Sequence, residues 1–375
     1  MGTDEPQSTG PATPIFGLKE EQLLALVESI ADEPVESFGV SIEHEVTGHY
    51  GYQAEKLIPT FAYLTRSGQT GTTAAFAKFF REPGPREAHH YTYLAQHQAP
   101  IPRMYGTVMG PDEREIIFLE YLRPAGDLHP FRWFFSDEDR LRHFLALAAR
   151  FNAIRPSEEY ETRLYHQPIG DVCRWLNNGA EALGRIWERA ATGELGPTLR
   201  DLCAASGEKL PLLQGLAADL VAPVSRMAVG LVHGDYYPDS TGWRRDTGEL
   251  LMVDLEGVRL APRFSDVGRW LGAPDAVQPR CLPREELARH YLAEYARWGG
   301  SAVPLEQFLE ETRLLCLKDA LKMLPFAFNR ALDGGVDWTR DREEGRRVYR
   351  DEVHGHLTIL LREVGGSDGR SLSAC

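Results

Sequence analysis

The sequence predicts an α+β protein of two lobes: a small antiparallel sheet first, then a larger and mainly helical part. Two textures carry that reading. Between about residues 36 and 80, short apolar segments alternate with turn residues, as antiparallel strands and hairpins do. After Arg123 apolar residues recur at helical spacing instead. A third observation singles out 229–260, where an apolar entry, a polar turn (RRDTGE) and a short apolar strand interrupt the helices. A chain of 375 residues has ample surface to bury in two such lobes.

Each element follows in order. Residues 1–14 (MGTDEPQSTGPATP) are acidic and rich in Pro, Gly, Ser and Thr, which reads as a disordered tail and lacks the regions of a signal peptide. LKEEQLLALVESIA (18–31) has helical spacing. SFGVSIEHEV, GHYGY, EKLIPTFAYLTRS and TTAAFAKFF read as strands and turns, PREAHHYTYLAQH (85–97) as a helix, and 103–109 and 115–122 as two more strands. The last of these, EIIFLEYL, is apolar enough to be central. The first lobe therefore spans 15–122 and the second 123–375, with helices expected at 136–154, 169–192, 196–219, 284–298, 304–328 and 341–364.

Composition narrows the function. No apolar run is long enough to span a bilayer. The net charge of -14 argues against a nucleic-acid partner and is compatible with a cationic substrate. Cys173, Cys203, Cys281, Cys316 and Cys375 are odd in number and form no CxxC pair, which fits a reducing cytoplasm without zinc or a disulfide framework. Only six of the 41 basic residues are lysines, so a lysine in an unusual place carries information.

The chemistry concentrates in VHGDYYPDS (Val232–Ser240) and LLMVDLEG (250–257). Their spacing sets Asp235, Asp254 and Glu256 near the two ends of one hairpin. Carboxylates so grouped repel unless a divalent cation or a reaction intermediate sits among them. One could then accept a proton while another holds metal. Lys78 lies inside an apolar run, where a lone ammonium needs a partner. Glu87, nine residues on, opens a helix and could be that partner. The turn TGHYGY, with Gly48, could close over phosphates with backbone N–H groups. Asp319, in CLKDALKMLPF, is a carboxylate on a mostly apolar helix; its partner is either a substrate amine or a neighbouring Arg or Lys318. Glu159, in SEEYE, is either a solvated loop residue or a contact for a cationic substrate.

HGD, a residue five after its Asp, and a hydrophobic strand ending in D-x-E resemble the signature of the aminoglycoside phosphotransferase-like kinases, which include choline, homoserine and sugar kinases. The matching residues are His233, Gly234, Asp235, Pro238, Asp254 and Glu256, and Asp266 in FSDVGRWLG resembles the family's later aspartate. The resemblance runs from about residue 36 onward. It implies a two-lobed protein-kinase-like fold, ATP or GTP with Mg2+ as cofactors, and a small molecule bearing a hydroxyl as acceptor. By that resemblance Asp235 is catalytic, Lys78 and Glu87 hold the α/β-phosphates, and Asp254 holds the metal with help from Glu256. Glu120 to Leu122 would be the linker whose backbone meets the nucleotide base. Ser240 stands where the family has a metal-binding Asn; it offers a single hydroxyl oxygen, and Asp239 beside it could supply a carboxylate. The bias to arginine resembles proteins of high-GC bacteria, which points to an antibiotic or secondary metabolite as acceptor. A protein kinase fits less well, because the metal motif reads DLE and no APE segment follows. Two alternatives remain open: a nucleotide-binding protein without catalysis, marked by Ser240, and a metallohydrolase using His233, Asp235 and Asp254. The second gives Lys78 and Glu87 no role.

Overall fold

In the computed structural model, residues 15–46, 54–80, 87–110, 113–125, 135–334 and 342–365 are described. Helix α1 (Glu20–Ala31) precedes strands β1 (Val35–Val46), β2 (Ala54–Thr65) and β3 (Thr70–Phe80); then come helix α2 (Ala88–Gln96), strands β4 (Met104–Met109) and β5 (Glu115–Glu120), and the two-residue strand β6 (Arg123–Pro124). The first five strands form one antiparallel sheet in the order β1-β2-β3-β5-β4. β5 thus lies inside the sheet, which is why its apolar run is buried from Glu115 to Leu119. The apolar stripe of α1 (Leu23, Leu26, Val27, Ile30) joins Phe61, Ala77 and Phe118 of the strands in one core, as an amphipathic helix on a sheet face should.

The helical part contains α3 (Glu138–Asn152), α4 (Glu158–Glu161), β7 (Tyr165–His166), α5 (Ile169–Ala191), α6 (Pro197–Ala205), α7 (Leu210–Ser225) and β8 (Val229–Val232). The single helix expected over 196–219 is two. The chain breaks at Ser206 and Gly207 and restarts with Pro211 in the first turn of α7, where its missing N–H costs nothing.

A short hairpin follows, β9 (Thr241–Trp243) with β10 (Leu250–Met252), then β11 (Arg259–Pro262), α8 (Ser265–Leu271), α9 (Arg284–Arg297), α10 (Leu305–Asp333) and α11 (Arg342–Gly365). β11 pairs antiparallel with β8 and parallel with β7. Leu183 and Ile186 of α5, Leu220 of α7, Leu321 and Leu324 of α10, and Val353 of α11 share a second core. Among the described residues no helix is long and apolar enough to cross a membrane.

The chain divides into two compact units, residues 1–127 with 239–256, and residues 128–238 with 257–375. This departs from a single cut after residue 122, because the hairpin clusters with the sheet unit. The cause is hydrogen bonding: β9 pairs with β6, and the Met252 N–H donates to Pro100 O at 2.8 Å. Sequence periodicity does not register a strand as short as Arg123–Pro124.

Candidate active site

In the sheet unit, Lys78 sits on β3 opposite Ile117 of β5, with only 4% of its surface exposed. Its ammonium lies 3.2 Å from Glu87 Oε1 and donates to Asp254 Oδ1 at 2.6 Å. Glu87 immediately precedes α2 and is fully buried. Burial alone would lower the Lys78 pKa; the Glu87 and Asp254 carboxylates outweigh it and hold the ammonium above its ordinary range. For Glu87, burial pushes the carboxyl up to about 7 against the pull of Lys78. Asp254 differs from both. Its side chain is 47% exposed, and its φ of 63° is a left-handed conformation that Asp tolerates better than most residues. The carboxylate is therefore tethered by Lys78 and partly exposed to solvent. Glu256, in the 3-10 turn Leu255–Gly257, adds a smaller negative field at Lys78. Ser240 ends the turn Pro238–Ser240, is buried, and its carbonyl accepts from the Val253 N–H at 2.9 Å, which closes the base of the hairpin.

In the helical unit, the HGD loop leaves β8 and is braced from below. Asp266, at the start of α8, accepts the backbone N–H of His233 at 2.8 Å and that of Gly234 at 2.9 Å. Asn152 at the end of α3 donates to the same carboxylate at 2.8 Å and to Leu231 O at 3.1 Å, while Tyr291 holds Asn152 at 2.9 Å. Gly234 has a φ of +83°, and a Cβ there would lie 2.4 Å from Gly257 O, so only glycine fits. His233 is fully buried against the rings of Phe151 and Tyr236, and its Nδ1 accepts the Asp235 N–H at 3.3 Å. The loop is thus rigid up to Asp235, whose side chain is exposed.

The remaining expected site residues lie as follows. The Glu120 carboxylate is taken by the Arg244 guanidinium (2.8 and 3.1 Å) and the Arg103 N–H (3.1 Å), and its own N–H donates to Arg103 O at 2.8 Å. That pairing ties the β9–β10 hairpin to β5. Leu122 is buried, packed where Gly242 of β9 lets the backbone approach. Glu159 is 81% exposed on α4 and pairs with Arg163 at 3.2 Å. Asp319, on α10, accepts from Arg269 Nε at 2.7 Å. Burial would raise its pKa, but Arg269, Lys318 and Lys322 hold the carboxyl down at about 2. Arg269 is thus the neighbouring arginine beside it. Gly48 and its turn lie outside the described residues.

The sequence matches the profile of the Phosphotransferase enzyme family over residues 62–300, well over half of its length. The chain belongs to that family. Among solved structures it is similar to choline kinase from Cryptosporidium parvum Iowa II, with 10% identity, a TM-score of 0.51, and 92% of this chain and 97% of that one covered. It also matches a protein from Ralstonia eutropha JMP134 described as an aminoglycoside phosphotransferase (15% identity, TM-score 0.48, coverage 90% and 98%) and the Plasmodium vivax ethanolamine kinase (10% identity, TM-score 0.46, coverage 87% and 81%). No curated protein matches the sequence significantly. The two-lobed, protein-kinase-like fold expected from the HGD and DLE motifs is the fold found.

For a member of this phosphotransferase family, the residues present fit a magnesium nucleotide. A tethered but half-exposed carboxylate suits a metal that keeps most of its coordination for phosphate and water. Among the described residues no group of three or more His, Cys, Asp or Glu could hold a metal by itself. Reasoning from sequence missed other polar side chains of the helical unit. A small pocket there, of about 40 Å³, is lined by Arg259, Arg269, Lys318 and Lys322, with Asp266 and Asp319. Gly234 and Tyr237, either side of Asp235, also line it. The scarcity of lysine that marked Lys78 applies equally to Lys318 and Lys322, four residues apart on one helix.

Proposed function

We propose that this phosphotransferase moves the γ-phosphoryl group of ATP or GTP to a hydroxyl of a small molecule, an antibiotic or other secondary metabolite being the class to screen first. The observation that carries this reading is the buried Lys78, held between Glu87 at 3.2 Å and Asp254 at 2.6 Å. Such a fixed ammonium is costly to bury, and it suits a site that grips phosphate oxygens. Asp235 accepts the proton of the acceptor hydroxyl, whose oxygen bonds to the γ-phosphorus as the bond to the diphosphate leaving group breaks. Asp254, with Glu256 two residues on and Ser240 bonded through its carbonyl to the adjacent Val253 N–H, would hold Mg2+, and Mg2+ would neutralise the phosphate charge. The loose transition state asks mostly for alignment and charge balance, which is what a braced loop and a fixed ion pair provide. The free cysteines among the described residues suit a cytoplasmic enzyme.

The test is to incubate the protein with Mg2+, ATP or GTP and a panel of hydroxylated compounds, and to look by mass spectrometry for a gained phosphoryl group. Product is expected with the native chain and not with Asp235→Ala. Nucleotide binding with no product from any acceptor would favour the non-catalytic reading that Ser240 suggests. Failure to bind either nucleotide would overturn the assignment.

A further inference from the structure

We propose that the acceptor carries a carboxylate, and that Lys318, Lys322 and Arg259 hold it in the helical unit's pocket beside Asp235. This rests on reading Asp235 as the residue that receives the acceptor's hydroxyl.

Lys318 and Lys322 feel the charge of Asp319 but form no ion pair with it among the described residues. Lys318 is 6% exposed and makes no hydrogen bond or ion pair among the described residues. Lys322, one turn on, has its ammonium 4.7 Å from the centre of the Trp175 ring and no carboxylate within ion-pair distance among the described residues. Arg259 donates through Nη2 to Gly234 O at 2.8 Å, while its Nε is buried without a partner among the described residues, as is Nη2 of Arg269. Buried polar groups are ordinarily satisfied, and buried charges ordinarily paired. A pocket that gathers several exceptions is short of an anion.

The nearby negative charges are already engaged. Asp319 belongs to Arg269, which also lies over the Tyr237 ring at 4.7 Å. Asp266 accepts from two backbone N–H groups and Asn152. Glu352 of α11 faces His356 at 3.4 Å. Asp235 contributes its field to Lys322, but as the proposed base it must face the hydroxyl. Burial lowers the Lys318 ammonium to about 8, and an incoming anion would restore it. An amine would instead meet ammonium and guanidinium groups.

The cavity of about 40 Å³ is small and lined by four cations, so it suits a compact anionic group such as a carboxylate. Because Gly234 and Tyr237 line the same cavity, a hydroxyl a few bonds from the bound carboxylate comes within reach of Asp235.

The test compares D-glycerate, 4-hydroxybutyrate and 4-(hydroxymethyl)benzoate with their methyl esters, and with ethanolamine and kanamycin, as acceptors for the full chain with Mg2+ and ATP or GTP. The acids should be preferred over their esters, and Lys318→Gln should raise KM for an acid about ten- to a hundred-fold with kcat little changed, the effect of losing one charge-assisted hydrogen bond. Lys322→Gln serves as a second variant should Lys318→Gln fold poorly. Esters or amines phosphorylated as well as acids would overturn the carboxylate site and leave the phosphotransferase reading standing. Should no compound be phosphorylated, titration of the same acids and esters by tryptophan fluorescence decides the matter. Acid-selective binding lost in Lys318→Gln supports the site, and absent or equal binding of acid and ester overturns it.

Discussion

Lys78 is the residue on which the sheet unit's chemistry turns, and its cost is visible in its neighbour. Without the ammonium, the fully buried Glu87 would be an isolated carboxylate, and burial already holds its carboxyl near 7. Two consequences can be separated by measurement. Lys78→Met should lower kcat/KM by about a hundred-fold or more if, as proposed, it removes a fixed donor to the phosphates, whereas Glu87→Gln, which would only loosen that donor, should cost about ten-fold. In stability the order should differ. The double variant Lys78→Met/Glu87→Gln should unfold at a higher denaturant concentration than the sum of the single losses predicts, because the second change removes the charge that the first left stranded. Additive losses in a urea-unfolding cycle would mean that the two side chains do not share one energetic unit.

At the scale of elements, the HGD loop is held by one carboxylate, Asp266, that satisfies two successive backbone N–H groups. Gly234→Ala tests how tightly. It forces a side chain into a left-handed backbone and against Gly257 O, so we expect a loss of about 2 kcal/mol or more of stability, read from the urea midpoint, and an activity loss that raised acceptor concentration does not restore. Unchanged stability would show that the loop can rearrange and is not braced. Much of this was legible beforehand. HGD and DLE are local patterns, and β3 and β5 announce themselves by apolar runs. What was not legible depends on contacts remote in sequence. Nothing local marks Asn152, at the end of the apolar helix α3, as a partner of Asp266, which lies 114 residues away. The partner of Asp319 lay fifty residues away on α8. The β9–β10 hairpin joins the sheet unit through a two-residue strand that has no periodicity to read.

For the whole molecule, the consequence lies in how the chain is threaded. It leaves the sheet unit after residue 127, returns at Asp239, and leaves again after Glu256. The sheet unit is therefore discontinuous, and its two pieces are joined by the whole segment 128–238. When that segment unfolds, it becomes a long flexible loop, and keeping the hairpin on the sheet then costs loop-closure entropy of about 4 kcal/mol. That is most of the stability of a marginal domain, so the two units should unfold together despite their separate cores. Leu321→Ala is a suitable probe: the residue is fully buried in the helical core, and its truncation should cost about 2–5 kcal/mol. Hydrogen exchange in increasing urea should then show peptides of β3 and of α10 losing protection at the same midpoint, shifted downward together by the substitution. If β3 keeps its protection while α10 opens, threading does not couple the units, and Lys78 and Asp254 would stay in place without the helical part.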